Sequence, residues 1–200
     1  MAIEPILWGV ALAATAGLRV FMPFLFVGGM ARYAHTPAPG ILEWTASDAG
    51  FFLLLTASVL EVLGDKVPVV DHALDAVATF IKPAAGFLLP AALLYDVSPA
   101  GAWVLGIAAG APLALGVHAT KAGTRAASTA TTMGTGNPVV SVVEDVFAVA
   151  ILVFTVIAPF VAVALIALLV VLVVRAVSRM WKWFGRRRPD NKTPASSGGG

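Results

Sequence analysis

The sequence predicts an all-α protein, a polytopic membrane bundle of about five to six spans with one added amphipathic or re-entrant helix. Three observations carry that reading. Hydrophobic side chains make up 59% of the 200 residues and charged ones only 12%, about half the charged share of a soluble domain. The mean hydropathy is +0.91 for a 20.6 kDa chain, and a fold of that size cannot bury so much apolar surface from water, so lipid must be the solvent. Apolar runs approaching or exceeding the length of a bilayer crossing, about 20 residues, recur between short polar stretches.

The elements follow in order. Residues 6–31 form the first expected span, interrupted by Arg19 near the middle and by Pro23. The stretch before it, Met1 to Pro5, lacks the basic segment of a secretory signal, so this span is expected to stay as an anchor. Residues 32–48 read as a loop, with Arg32, His35, Pro37, Pro39, Glu43 and Asp48. Residues 49–63 begin a second span that runs into Glu61, Asp65 and Lys66. In 69–82, Val70, Leu74, Val77 and Ile81 make one helical face and Asp71, Asp75 and Lys82 the other, the pattern of an amphipathic helix at the interface or dipping into the bilayer.

Residues 83–95 are apolar but short for a crossing unless they extend the preceding helix. A further span at 103–117 continues into His118, Lys121 and Arg125. Residues 123–138 are rich in Gly, Ser, Thr and Ala and read as a loop, exposed or lining a cavity. The run 139–174 is long for one crossing; Pro159 suits the first turn of a new helix, so two spans are expected. Residues 1–184 thus read as one integral membrane domain and 185–200 as a disordered basic tail, with Trp181, Lys182 and Trp183 as an interfacial anchor.

Charge divides along the chain. Residues 175–200 hold seven basic side chains against Asp190 alone, a net of +6, and the other 174 residues hold six basic and ten acidic ones, a net of −4. A basic tail on a faintly acidic body argues for a cytoplasmic C-terminus, with the bilayer and not nucleic acid as partner. Oligomers remain open. The chain has no cysteine, which excludes disulfides, thiol nucleophiles and thiolate metal sites.

A charge at mid-bilayer costs about 2.5–3.5 kcal/mol on insertion scales, yet Arg19, Glu61, Asp65, Lys66, Asp71, Asp75, Lys82, Lys121, Arg125, Glu144 and Asp145 lie in or beside apolar segments. Glu61 and Asp65 share a helical face, as do Asp71 and Asp75; His118, Lys121 and Arg125 at i, i+3, i+7 make a basic one. One reading is structural: ion pairs that lock helices together. The other is functional. Arg19, His118, Lys121, Arg125 and Asn137 receive an anionic small molecule or lipid, while Glu61, Asp65, Lys66, Asp71, Asp75, Glu144 and Asp145 couple protons or balance charge.

Two short motifs recur in order: Ala16-Gly17-Leu18-Arg19 with Ala122-Gly123-Thr124-Arg125, and Ser58-Val59-Leu60-Glu61 with Ser141-Val142-Val143-Glu144. They suggest a weak internal repeat of the kind found in transporters. No catalytic residue, metal site or cofactor motif is assigned. GxSxG, HExxH and Walker A patterns are absent, and Asn137 stands where an aspartyl protease would need its second acid. Asp71, His72 and Asp75 make only a weak cation motif.

The string Glu61-x3-Asp65-Lys66-x-Pro68-x2-Asp71-x3-Asp75, followed by Pro83-x2-Gly86, and Asn137-Pro138-x2-Ser141-x2-Glu144-Asp145 resembles a family of small bacterial inner-membrane proteins, domain of unknown function 4126. The resemblance extends over about 14–160, including Ala16-Gly17-x-Arg19 and His118-x2-Lys121-x3-Arg125, with Lys82 where the family pattern has Arg. It implies a membrane location and no reaction. The function expected is a small carrier of an anionic substrate, phosphate-bearing and lipid-linked compounds included. The alternatives are a non-catalytic scaffold or assembly factor, or an intramembrane hydrolase using paired carboxylates.

Overall fold

The computed structural model describes residues 3–66 and 68–185, with the backbone alone at 68–75, 169, 173, 176–177 and 180–185. It is helical throughout: α1 (Ile3–Leu18), α2 (Phe21–Tyr33), a 3-10 helix (Gly40–Ala46), α3 (Asp48–Gly64), α4 (Pro68–Leu94), α5 (Pro99–Leu105), a π-helical turn (Gly106–Gly110), α6 (Ala111–Thr132), α7 (Asn137–Ile157) and α8 (Pro159–Gly185). Among the described residues three stretches are long and apolar enough to cross a membrane, Ala76–Leu94, Pro99–Thr132 and Asn137–Ile157, or four if the bent pair of the 3-10 helix and α3 counts as one. The expected five to six spans are therefore not reached by length and composition.

The main reason lies in the first run. Residues 6–31 do not make one span; the chain leaves the helix at Arg19 and Val20 and reverses. Trp8 on α1 faces Phe26 on α2, ring centroids 6.2 Å apart, so the two helices form a hairpin with Arg19 at its apex. α1 is the centre of the bundle, touching α4, α6, α7 and α8, and every residue from 11 to 18 is buried. Small side chains permit this. A Cβ on Gly17 would stand 2.5 Å from the Ala114 carbonyl oxygen, and one on Gly86 would stand 2.6 Å from that of Gly110. Close backbone approach at small residues is how helices associate where no hydrophobic effect drives them together.

Other boundaries also shift. Part of the expected 32–48 loop winds into the 3-10 helix, which packs on α2. The expected amphipathic segment 69–82 and the short run 83–95 are one helix, α4, with Pro83 and Pro90 inside it. The expected loop at 123–138 is helical to Thr132, because Thr124, Thr131 and Thr132 return their hydroxyl protons to carbonyls four residues back, at 2.7–2.9 Å. Only a tight turn remains, with Met133 and Gly134 at positive φ. The break expected at Pro159 is present: α7 ends at Ile157, and Pro159 begins α8. The expected disordered tail lies outside the described residues from 186 onward, as do the side chains of Trp181, Lys182 and Trp183.

Two packed apolar clusters hold the bundle on either side of α1. One joins Leu12 and Ala16 to Phe24, Leu54 and Leu89; the other joins Ala14 and Leu18 to Val117, Ile151 and Ile166. Gly86→Leu forces α4 and α6 apart and is expected to cost about 1–3 kcal/mol or more. Gly116→Ala, with nothing within 4 Å of the new carbon, is expected to stay within about 0.5 kcal/mol. Unfolding of the two purified variants in detergent measures both.

Candidate ion-network site

The hairpin apex brings Arg19 to one level with the end of α3, the middle of α6 and the first turns of α7. Its side chain is fully buried. The guanidinium bonds the Asp65 carboxylate, donates from Nε to Asp145 Oδ1 at 2.7 Å, and reaches Ser141 Oγ at 3.2 Å. It also donates to the Glu61 carbonyl at 3.3 Å, placing a cation on the C-terminal end of α3, where free carbonyls favour one.

Asp65 is the meeting point. Its Oδ2 accepts from Arg19, from Lys121 Nζ at 2.7 Å and from Arg125 Nη2 at 2.9 Å. Lys121 and Arg125 also share Glu144, at 3.8 and 3.2 Å from Oε2. Lys66, at the half-open edge, reaches Asp145 Oδ2 at 3.3 Å. His118 lies one turn before Lys121 in α6, with Nδ1 3.0 Å from Lys82 Nζ and Nε2 3.3 Å from Thr79 Oγ1. Because an ammonium has only protons to offer, Nδ1 is the accepting nitrogen of that contact.

Most of the predicted site residues thus converge: Arg19, Glu61, Asp65, Lys66, Lys121, Arg125, Glu144 and Asp145 form one network, with His118 one turn away on α6 against Lys82. Glu61 has a different task from its helical neighbour. Its carboxylate accepts the backbone N–H groups of Val20, at 2.8 Å, and Phe21, at 3.2 Å, which otherwise have no partner at the start of α2. Asn137 stays apart, donating to Thr129 Oγ1 at 3.1 Å across the α6–α7 turn. The side chains of Asp71 and Asp75 lie outside the described residues. Ser141 belongs to the network, while Lys82 and Thr79 contact His118; none of the three was among the predicted ligands. Ser141 could have been found from its spacing, since it shares a face with Glu144 and Asp145 at i+3 and i+4.

The recurring motifs meet here too, but not by one simple rotation. α1 and α6 run in the same direction, since Gly9 adjoins Leu105 and Gly17 adjoins Val117. α3 reaches Arg19 with its last residues, whereas α7 does so near its first, so that pair runs in opposite directions.

Two cavities flank Lys121. One of about 90 Å³ is bounded by Val20, Glu61, Asp65, Ile81, Lys82 and Lys121; another of about 180 Å³ opens between α6 and α7 beside Lys121 and Glu144. No three His, Cys, Asp or Glu side chains among the described residues are grouped to hold a metal ion.

A helical membrane-type bundle with a buried, many-centred ion network is the class of protein that fold and site define. The chain belongs to the family described as domain of unknown function (DUF4126), whose profile matches residues 6–179. No curated protein and no solved structure matches it significantly.

Asp65→Asn removes the shared anion and leaves, among the described carboxylates, Arg19 with Asp145 alone and Lys121 and Arg125 with Glu144 alone. The expected loss is about 3–5 kcal/mol of stability, the range for breaking a buried pair. Lys66→Ala, at the open edge, is expected to cost at most about 1 kcal/mol. Denaturation of both variants in the same detergent decides whether Asp65 is the keystone.

Proposed function

We propose that the protein is a multi-pass carrier of the bacterial inner membrane that moves an anionic substrate, phosphate-bearing and lipid-linked compounds included. The observation that carries this reading is the convergence of Arg19, Lys121 and Arg125 on one carboxylate oxygen, Asp65 Oδ2. Three donors on one oxygen form a preassembled anion seat. Asp65 is its resident occupant, and an incoming anion replaces it contact by contact, so the cations are never stripped of partners together. Protonation of Asp65 or Glu144 does the same work by releasing a cation, which couples transport to protons. The apex of the α1–α2 hairpin is the natural moving part, because it carries Arg19 and is held by Glu61 through two hydrogen bonds. The seven basic residues from Arg175 to Lys192 fit a cytoplasmic C-terminus under the positive-inside rule.

The same Glu61 contacts favour a second reading. A carboxylate spent on backbone N–H groups is a structural device, and a scaffold would use the whole network in that way. Proteoliposome uptake of radiolabelled inorganic phosphate and glycerol phosphate separates the two. For a carrier, Arg125→Ala is expected to lower uptake about tenfold or more while the protein stays folded, as loss of a charge-assisted contact of about 1.5–3 kcal/mol implies. Uptake unchanged in Arg125→Ala and Glu61→Gln overturns the carrier mechanism; activity that falls only in step with thermal stability favours the scaffold.

A further inference from the structure

The larger cavity beside Lys121 narrows the substrate class. We infer that the seat takes an amphiphile, a lipid whose head group carries both an anionic oxygen and a hydroxyl donor, and that it enters sideways from the bilayer between α6 and α7. This deepens the carrier reading and rests on it.

The walls and the floor of the cavity have different chemistry. Leu18, Val139, Val140 and Val143 make the walls, and Lys121 and Glu144 the polar floor. Val139 and Val143 both border the cavity and are themselves 67% and 49% exposed, on the side of α7 that also presents Val142 and Val146 to the outside. The mouth therefore opens on a valine face suited to acyl chains, not on water. A volume of about 180 Å³ is several times the roughly 30 Å³ share of a water molecule. A hydrated inorganic anion would shed its water against valine to enter here, whereas a lipid leaves its chains in the bilayer and brings only its head group to the floor.

The floor has hydrogen-bonding capacity of both kinds. Lys121 is only 3% exposed and has three N–H protons; among the described residues it makes one hydrogen bond, to Asp65, and stands 3.8 Å from Glu144 Oε2. Glu144 is 6% exposed, and its Oε1 is buried without a hydrogen-bond partner. A buried carboxylate oxygen left unsatisfied is costly. A ligand that gives an anionic oxygen to Lys121 and a hydroxyl proton to Glu144 fills both positions at once. Lys121 also borders the smaller cavity beside Asp65, so a head group seated on the ammonium is next to the carboxylate it must replace.

Native mass spectrometry of the purified full chain in detergent tests this, titrating phosphatidylglycerol, phosphatidylcholine and water-soluble glycerol phosphate. Expected is one phosphatidylglycerol retained per chain, at least about tenfold tighter than phosphatidylcholine or glycerol phosphate. Val143→Trp fills the mouth and is expected to weaken that binding at least about tenfold with an unchanged melting temperature. Val146→Trp, on the same exposed face but outside the cavity, is expected to leave it intact. Equal binding of both phospholipids, or equal effects of the two tryptophan variants, overturns the inference. Glycerol phosphate binding as tightly as the lipid also overturns it, while leaving the carrier reading standing. Failure of the carrier reading would show separately, as no transbilayer movement of labelled phosphatidylglycerol in proteoliposomes of a protein that still retains the lipid.

Discussion

The Asp65 carboxylate is the contact on which the other features depend. In a medium that solvates ions poorly, four buried or nearly buried basic groups cannot stay charged without anions held at short range. The fold places one carboxylate where cations from the end of α1 and from two turns of α6 all reach it. This explains why α1 must break. If residues 6–31 ran through as one span, Arg19 would lie against the side of a continuous helix and its neighbours would have no free N–H groups. The reversal exposes the N–H groups of Val20 and Phe21, which Glu61 accepts, and it turns the guanidinium toward α3 and α7.

Packing and electrostatics are therefore one design. The glycines of α1, α4 and the π-helical turn that leads into α6 bring three backbones into contact, and that close approach brings Lys82, His118 and Lys121 to the level of Arg19. At about 1.5 Å per residue, Glu144 lies about 10 Å from the start of α7 and Arg125 about 10 Å from the end of α6. The network is thus well within the candidate spans. Two cavities border the cluster beside Lys121, the space that the proposed exchange of partners requires.

What was legible in the sequence is what helical periodicity encodes. The i, i+3, i+7 spacing of His118, Lys121 and Arg125 placed them on one buried face, and the scarcity of charge in an apolar chain singled out their acidic partners. The boundary at Pro159 was readable for a similar local reason, the preference of proline for a first helical turn. The hairpin was not, because an apolar run signals burial and not direction; Arg19 and Pro23 marked the place without giving the turn. The Thr- and Ser-rich stretch after Gly123 misled because those residues are weak helix formers in water. Here Thr124, Thr131 and Thr132 satisfy their hydroxyls on the helix itself, and the helix persists. Glu61 and Asp65 looked equivalent by spacing; only the three-dimensional arrangement separates a backbone cap from a shared counter-ion.

Chemical rescue tests the central claim most directly. Asp65→Ala removes the resident anion, and the adjoining cavity of about 90 Å³ admits a small carboxylate. The account predicts that the melting temperature of the Asp65→Ala protein rises steadily with formate at constant ionic strength, while the wild-type protein responds little. Identical formate responses in the two proteins would contradict an exchangeable anion seat formed by Arg19, Lys121 and Arg125.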